Sequence, residues 1–275
     1  MTLNKLLGVY IDGETKAGKG AASQAVATAL SSKGLRVYYD VAGDFYRRYV
    51  ALVRNELGLS EEDVLPNGKP LEEAARIVYE SKKAFDKDAS LGDLQRPSIG
   101  KSVSILGELD IAQRAGSEWF AMSAERAKIT KSDAIVLDGR NTRMRLSETG
   151  IAVNTVLELI MTCDPTEAAL RTLISNGNKN PTKQQIDNER LNVINRRERD
   201  RLRPINPFVM PSYSVLYSPD RDYSTVLKEA WEERPGSETP HAIVVDNTHI
   251  SKSDMIEVVS NLAIAAITAV ELGIT

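Results

Sequence analysis

The sequence predicts a three-layer αβα fold built on a five-stranded parallel sheet. Three observations carry this expectation. Five short, almost continuously apolar runs recur along the chain. Segments rich in helix formers separate them, and the first run ends in a glycine-rich turn that leads straight into a helix. A strand that is apolar at every position is buried on both faces, which calls for helices on both sides of the sheet. The first run, Leu6 to Ile11, closes on Asp12 and Gly13. Ala21 to Leu30 holds good helix formers and is stopped by Gly34; Leu35 to Asp40 is the second strand. Strand, helix and strand within about 35 residues is the length of a right-handed βαβ unit. Asp133 to Asp138 and Thr155 to Cys163 are the third and fourth strands. Asp164, Pro165 and Glu167 then open a helix as N-cap, N1 and N3 residues. Ala242 to Asp246 is the fifth strand, and a helix runs from Ser251 to Leu272.

The intervening segments differ in character. Leu71 to Phe85 and Ser98 to Lys128 read as helices with no strand between them, so residues 43–130 form a helical insertion between the second and third strands. Residues 182–210 are helical and heavily charged. Residues 211–241 hold Pro219, Pro235, Gly236 and Pro240 and read as loop, with one short helix around Thr225 to Glu233. The core is expected from 1–42, 131–181 and 242–275. No internal repeat and no low-complexity tract interrupts this plan.

Composition narrows the function classes. The 275 residues are 42% hydrophobic, enough for a packed core. A net charge of −3 argues against a partner held by overall positive charge, so no nucleic-acid polymer is expected. Cys163 is the one cysteine, and His241 and His249 are the only histidines, which removes internal disulfides and cysteine- or histidine-rich metal sites. The longest candidate span, Leu262 to Val270, has nine residues, short of the ~18 that a membrane span needs. Met1 to Lys5 leads into a strand rather than a signal sequence, so a cytoplasmic location without membrane contact is expected.

The sharpest signal is the run Gly13, Glu14, Thr15, Lys16, Ala17, Gly18, Lys19, Gly20. It fits G-x-x-x-x-G-K directly after a strand and directly before a helix, the arrangement of a P-loop nucleoside triphosphatase. Backbone N–H groups of Gly13, Lys16, Ala17, Gly18, Lys19, Gly20 and Ala21 are the expected cradle for ATP phosphates. Lys19 adds a mobile charge able to follow a transferring phosphoryl group. Two features depart from the general pattern. Gly20 stands where a Ser or Thr would ligate Mg2+, leaving Ser23 as the first hydroxyl, and Lys16 sits at the loop apex, where solvent is its expected surrounding.

The remaining motifs extend this. Ala42, Gly43, Phe45, Tyr46 and Arg47 follow the second strand; Asp138, Gly139, Arg140 and Asn141 follow the third. Five arginines crowd into Arg196 to Arg203, with Asp200 among them and Pro207 and Phe208 beyond; Asp246 and Thr248 end the last strand. In order and spacing these resemble the phosphate loop, acceptor signature, D-G-R-D turn, lid and terminal turn of cytidylate kinases, across most of the chain. The resemblance implies ATP and Mg2+ as cofactors and phosphorylation of a pyrimidine nucleoside monophosphate, CMP or dCMP and by extension UMP. It makes 43–130 the acceptor-binding insertion and 182–210 the lid. On a helix, Arg196, Arg199 and Arg203 share one face, and with Lys19 they are the expected catalytic groups; Arg197 and Arg201 fall off that face as surface or salt-bridge residues. The resemblance gives Arg47 to the acceptor phosphate, Arg114, Arg140, Asn141 and Asp200 to the acceptor, and Asp138 to a magnesium-bound water or to Lys19. Arg96 is a weaker acceptor contact by the same alignment. Asp12 is expected to hold the loop rather than to react.

The base-reading positions depart from the family. Asn141 replaces an aspartate, Ala42 replaces a hydroxyl residue, and Ile105 stands where a serine is expected, with Ser104 one place off. An amide can face either a cytosine amino group or a uracil carbonyl, so relaxed CMP/UMP choice is expected. Two other readings stay open: a P-loop kinase for a different small acceptor, and a nucleotide-binding protein without turnover.

Overall fold

All five apolar runs become parallel strands, and a sixth joins them. The computed structural model describes residues 6–86, 94, 96–203, 207–211, 213–232 and 240–273. Met1 to Lys5, the lid residues 204–206, residues 87–93 and 95 of the helical insertion, Ser212, and Glu233, Pro235 and Gly236 of the expected loop lie outside the described residues. In chain order the elements begin with β1 (Leu7–Gly13), α1 (Lys19–Ser32) and β2 (Val37–Val41). Next come α2 (Ala42–Glu56), α3 (Lys69–Glu80), a 3-10 turn at Lys83–Phe85, α4 (Pro97–Leu106) and α5 (Asp110–Ile129). The chain returns through β3 (Ala134–Asp138), α6 (Thr142–Ser147), β4 (Asn154–Thr162), α7 (Pro165–Ser175) and α8 (Lys183–Arg201). It ends with β5 (Ser214–Tyr217), α9 (Tyr223–Trp231), β6 (Ala242–Asp246) and α10 (Lys252–Glu271).

The sheet order is β2-β3-β1-β4-β6-β5, and every neighbouring pair is parallel. The expected count of five strands is therefore corrected to six. The extra strand, β5, lies in the segment read as loop and pairs Ser214 to Tyr217 with Ala242 to Val245 at the sheet edge. It is four residues long, and only Val215 and Tyr217 point into the core while Ser214 and Leu216 are exposed. An edge strand this short carries too little apolar signal to separate from a turn.

Period-two alternation in the central strands feeds two cores. Leu7, Val9 and Ile11 of β1, with Ala134 and Val136 of β3, pack with α1, α9 and α10. Tyr10, Ile135 and Leu137 face the other way and pack with α2, α3 and α5. That second core is rich in aromatic contact: Phe45 lies 5.2 Å from Phe85 and 6.1 Å from Trp119, centroid to centroid. Tyr49 Oη donates to Ala75 O at 2.7 Å and ties α2 to α3. Truncating one of these buried apolar side chains to Ala costs about 2–5 kcal/mol.

Local signals set the helix ends. Asp164 caps α7 by accepting from Thr166 N and Glu167 N. Thr182 and Gln185 form a reciprocal capping box on α8, and Ser251 caps α10. The helix expected over Ser98 to Lys128 is two helices, because Gly107 ends α4 and the chain turns before α5 begins at Asp110. No uninterrupted apolar run of membrane length exists, yet α10 is long and apolar enough to cross a membrane, with a mean hydropathy of 1.5. Its Val259, Leu262, Ala263, Ala266 and Ile267 are buried against the sheet, as in a core helix.

Candidate functional site

The carboxyl edge of a parallel sheet, where neighbouring connections run to opposite faces, is where open α/β folds bind ligands. Here β1 occupies that place between β3 and β4, and the glycine loop leaves its end. Gly13, still paired with Met161 of β4, has φ +131, and a Cβ there would collide with Met161 O. Gly18 has φ +91 beneath the Asn247 side chain, which donates to Ala17 O at 3.2 Å. Lys16 at the apex also has a left-handed φ, +65. No side chain caps the first turn of α1, so the N–H groups at its start face outward from the loop. Lys19 Nζ donates to Gly13 O at 3.0 Å and Glu14 O at 2.7 Å. Burial, then the neighbouring Arg140 charge, brings the Lys19 pKa down to about 8 against the pull of Asp138 and Asp200.

Asp138 ends β3 beneath the loop. It is buried, accepts from Ser23 Oγ at 3.4 Å, and is pushed up to about 6 by desolvation. Rather than holding the loop, as the sequence suggests, the Asp12 carboxylate accepts from Thr142 N at 2.8 Å and from the Thr142 hydroxyl, fixing the start of α6. Among the described residues no group of three or more His, Cys, Asp or Glu is placed to hold a metal ion. A Cβ on Gly20 would meet Asp138 Oδ2 at 3.9 Å, so the place of the usual hydroxyl ligand is open space beside a carboxylate. Asp138 and Ser23 therefore suit a cation that arrives on phosphate oxygens and reaches the protein through water.

Helix α8 packs against the loop. Asp200, 3% exposed, accepts from Thr15 Oγ1 at 3.1 Å, pairs with Arg140, and meets Arg203 at 2.7 Å. Arg140 also donates to Thr15 Oγ1. Arg196 is half-buried, with no hydrogen bond or ion pair among the described residues; burial, then Arg140, lowers its pKa to about 10. Arg203 is lowered in the same direction by burial.

Between α8 and the insertion helix α4 lies a cavity of about 1250 Å³. Lys16, Arg47, Arg196, Arg199 and Arg203 all line it, so the structure brings these expected site residues to one space. Lys16 is exposed, as expected, and also lines this cavity; partial burial followed by the nearby Arg196 charge lowers its pKa. Arg47 donates to Asp44 at 2.8 Å. Arg96 also lines the cavity but is paired to Glu61 and Glu62. Ser104 adds a buried hydroxyl without a hydrogen-bond partner among the described residues.

Arg96 aside, only Arg47 of the five expected acceptor residues lines this cavity; Arg140 and Asp200 pair with each other beside Thr15, and the other two lie elsewhere. Arg114 is exposed on α5 and does not line this cavity. Asn141, at φ +51, donates to Pro207 O at 2.6 Å and lines a separate cavity of about 450 Å³ with Glu158, Phe208 and His241. Sequence reasoning missed Glu14 and Thr15, which lie in variable positions of the loop motif. It read Arg197 and Arg201 as surface or salt-bridge residues. Both are ion-paired to Glu14, but Arg197 is buried. A third cavity, about 400 Å³, opens between Asp164, Glu167, Ile186 and His249. No protein-family model matches the chain, and no curated protein is significantly similar to it.

Proposed function

We propose that the protein is an ATP-dependent kinase for a pyrimidine nucleoside monophosphate, CMP or dCMP and also UMP. One observation carries this reading: an uncapped, lysine-bearing glycine loop borders a cavity lined by Lys16, Lys101 and five arginines, of which Arg96 is paired to Glu61 and Glu62. A site that merely held one triphosphate has no use for so many cations on the far side of the loop. Two polyanions brought together do.

In this reading the loop and Lys19 grip the ATP phosphates, and the cavity at Thr248 and His249, past the end of β6, is of a size to take the base. Arg47 holds the acceptor phosphate from the α4 side. Arg196, Arg199 and Arg203 neutralise charge on the moving phosphoryl group. An acceptor phosphate oxygen forms the new bond to the γ-phosphorus, the bond to the bridging oxygen breaks, and ADP leaves. The acceptor is already ionised at neutral pH, so no general base is required. Asp138 and Ser23 would hold, through water, a magnesium ion carried by the phosphates, and it would supply further charge neutralisation.

The placement of Arg114 and Asn141 outside the cavity weakens the case for strict cytosine reading and supports relaxed base choice. The test is an ADP-release assay over CMP, dCMP, UMP and AMP, with Lys19→Met as the control. Turnover on CMP, dCMP or UMP, lost by roughly 100-fold or more in Lys19→Met, supports the reading. A preference for AMP overturns the acceptor assignment. Nucleotide-dependent thermal shift with no product from any acceptor replaces catalysis by binding alone.

A further inference from the structure

Five arginines in eight residues are more than one helix face can direct at one ligand, and the structure divides them. Arg196, Arg199 and Arg203 line the large cavity. Arg197 and Arg201 lie one turn apart and meet Glu14, the second residue of the glycine loop. Arg197 Nη1 is 2.7 Å from one Glu14 oxygen, and Arg201 Nη2 is 3.3 Å from the other. Arg197 also donates to Cys163 O at 2.8 Å and to Thr15 O at 3.2 Å. The Glu14 and Arg197 side chains are 14% and 10% exposed, so the pair is shielded from water. A carboxylate in a loop built for phosphates would repel its ligand unless its charge were taken up elsewhere. Here two guanidinium groups take it up on the side away from the cavity.

We propose that Glu14 is a positioning residue that fastens the C-terminal half of α8 to the phosphate loop. This half of the lid does not swing as a flap; it keeps station over the loop and presents Arg196, Arg199 and Arg203 to the cavity. The proposal rests on the reading of these elements as loop and lid. A second fastening acts on the next loop residue, since Thr15 donates to Asp200 of the same helix. Across the cavity, Gly107 just beyond the end of α4 lies against Arg203 just beyond the end of α8.

Glu14→Gln keeps the side-chain size and removes the charge. Hydrogen exchange of residues 193–201, ADP affinity by calorimetry, and kcat and KM on CMP are read together. The expected result is exchange about tenfold faster in 193–201 with α1 and α5 unchanged, kcat about tenfold lower, and ADP affinity within about threefold of wild type. Arg201→Gln removes the more exposed arm and should show a smaller effect of the same kind. The double variant should be less impaired than the sum of the two, because both changes break one contact. Wild-type exchange in 193–201 for Glu14→Gln overturns the proposal, as do strictly additive effects. Should Glu14→Gln fail to fold, wild-type exchange in Arg201→Gln overturns it equally. If the wild-type protein phosphorylates no monophosphate, the functional reading falls while exchange still decides the fastening.

Discussion

Asp200→Asn isolates the charge balance of the site. The Asp200 side chain is 3% exposed and faces Arg140 and Arg203, whose side chains are 19% and 13% exposed. Removing one member of a buried pair costs about 3–5 kcal/mol, because the remaining charges lose their compensation. The residual exposure of the two arginines reduces this to about 2–4 kcal/mol. For a chain of this size that is a fall in Tm of roughly 5–15 °C. The pH dependence has a definite sign. Burial works to raise the Asp200 pKa, but Arg140, then Arg203 and Arg196, outweigh it and leave the group below its ordinary value. A carboxyl depressed in the folded state contributes stability above its unfolded pKa of about 3.9 and loses it as pH falls through the folded value. The gap between wild type and Asp200→Asn should therefore be full at neutral pH and close below about pH 4. Calorimetric melting at several pH values measures it, and added sulfate should narrow the neutral-pH gap by supplying negative charge to the exposed cations. A neutral-pH Tm within about 1 °C of wild type would refute the assignment of Asp200 as the counter-charge.

Two further outcomes follow from the geometry. Lys19 is held near a pKa of about 8 in the unliganded protein, and phosphate beside it restores the charged form. At about pH 8.5 ADP binding should take up a proton and weaken as pH rises further; heats that do not depend on the buffer's ionisation enthalpy would contradict this. Gly107→Ala places a Cβ 3.0 Å from Arg203 Nη2 and 3.1 Å from Val103 O. The backbone there, φ −66, accepts alanine, so Tm should stay near wild type while displacement of Arg203 lowers kcat about tenfold; unchanged kcat would show that Arg203 does not act from this position.

The part of the site nearest β1 was legible because it is local. A strand, a glycine turn, a lysine and a helix are contiguous, and their spacing dictates the geometry. The spacing of Arg196 and Arg199 likewise survives folding, because a helix converts spacing into a face, whereas α8 ends at Arg201 and Arg203 reaches the same cavity from the segment beyond the helix rather than from its face. What failed to show was tertiary. Arg114 and Asn141 follow an alignment whose local matches are loose, and neither residue's own surroundings reveal which cavity it meets. The role of Glu14 depends on two residues more than 180 positions away. The short elements α6 and β5 lack enough turns or alternation to announce themselves, and they exist because neighbours complete them: Asp12 starts α6, and β6 pairs β5.

The overall charge and the local charge point in opposite directions, and their difference bears on which anions the site can take. The chain carries −3, yet the lining of the large cavity carries seven basic side chains against three acidic ones. Arg96 is neutralised by Glu61 and Glu62. At physiological salt an exposed charge is screened beyond about 8 Å, so a ligand outside the cleft experiences little of this positive field. Inside, between α4 and α8, water is partly excluded and each guanidinium acts at closer to its full strength. An anion small enough to enter is held by several cations at once. A long polyanion would leave most of its charges outside, against a surface that is on balance acidic, and would release few counterions for its length. The same distribution that argues against nucleic-acid binding thus favours small phosphorylated ligands, and it does so through the placement of arginines rather than their number.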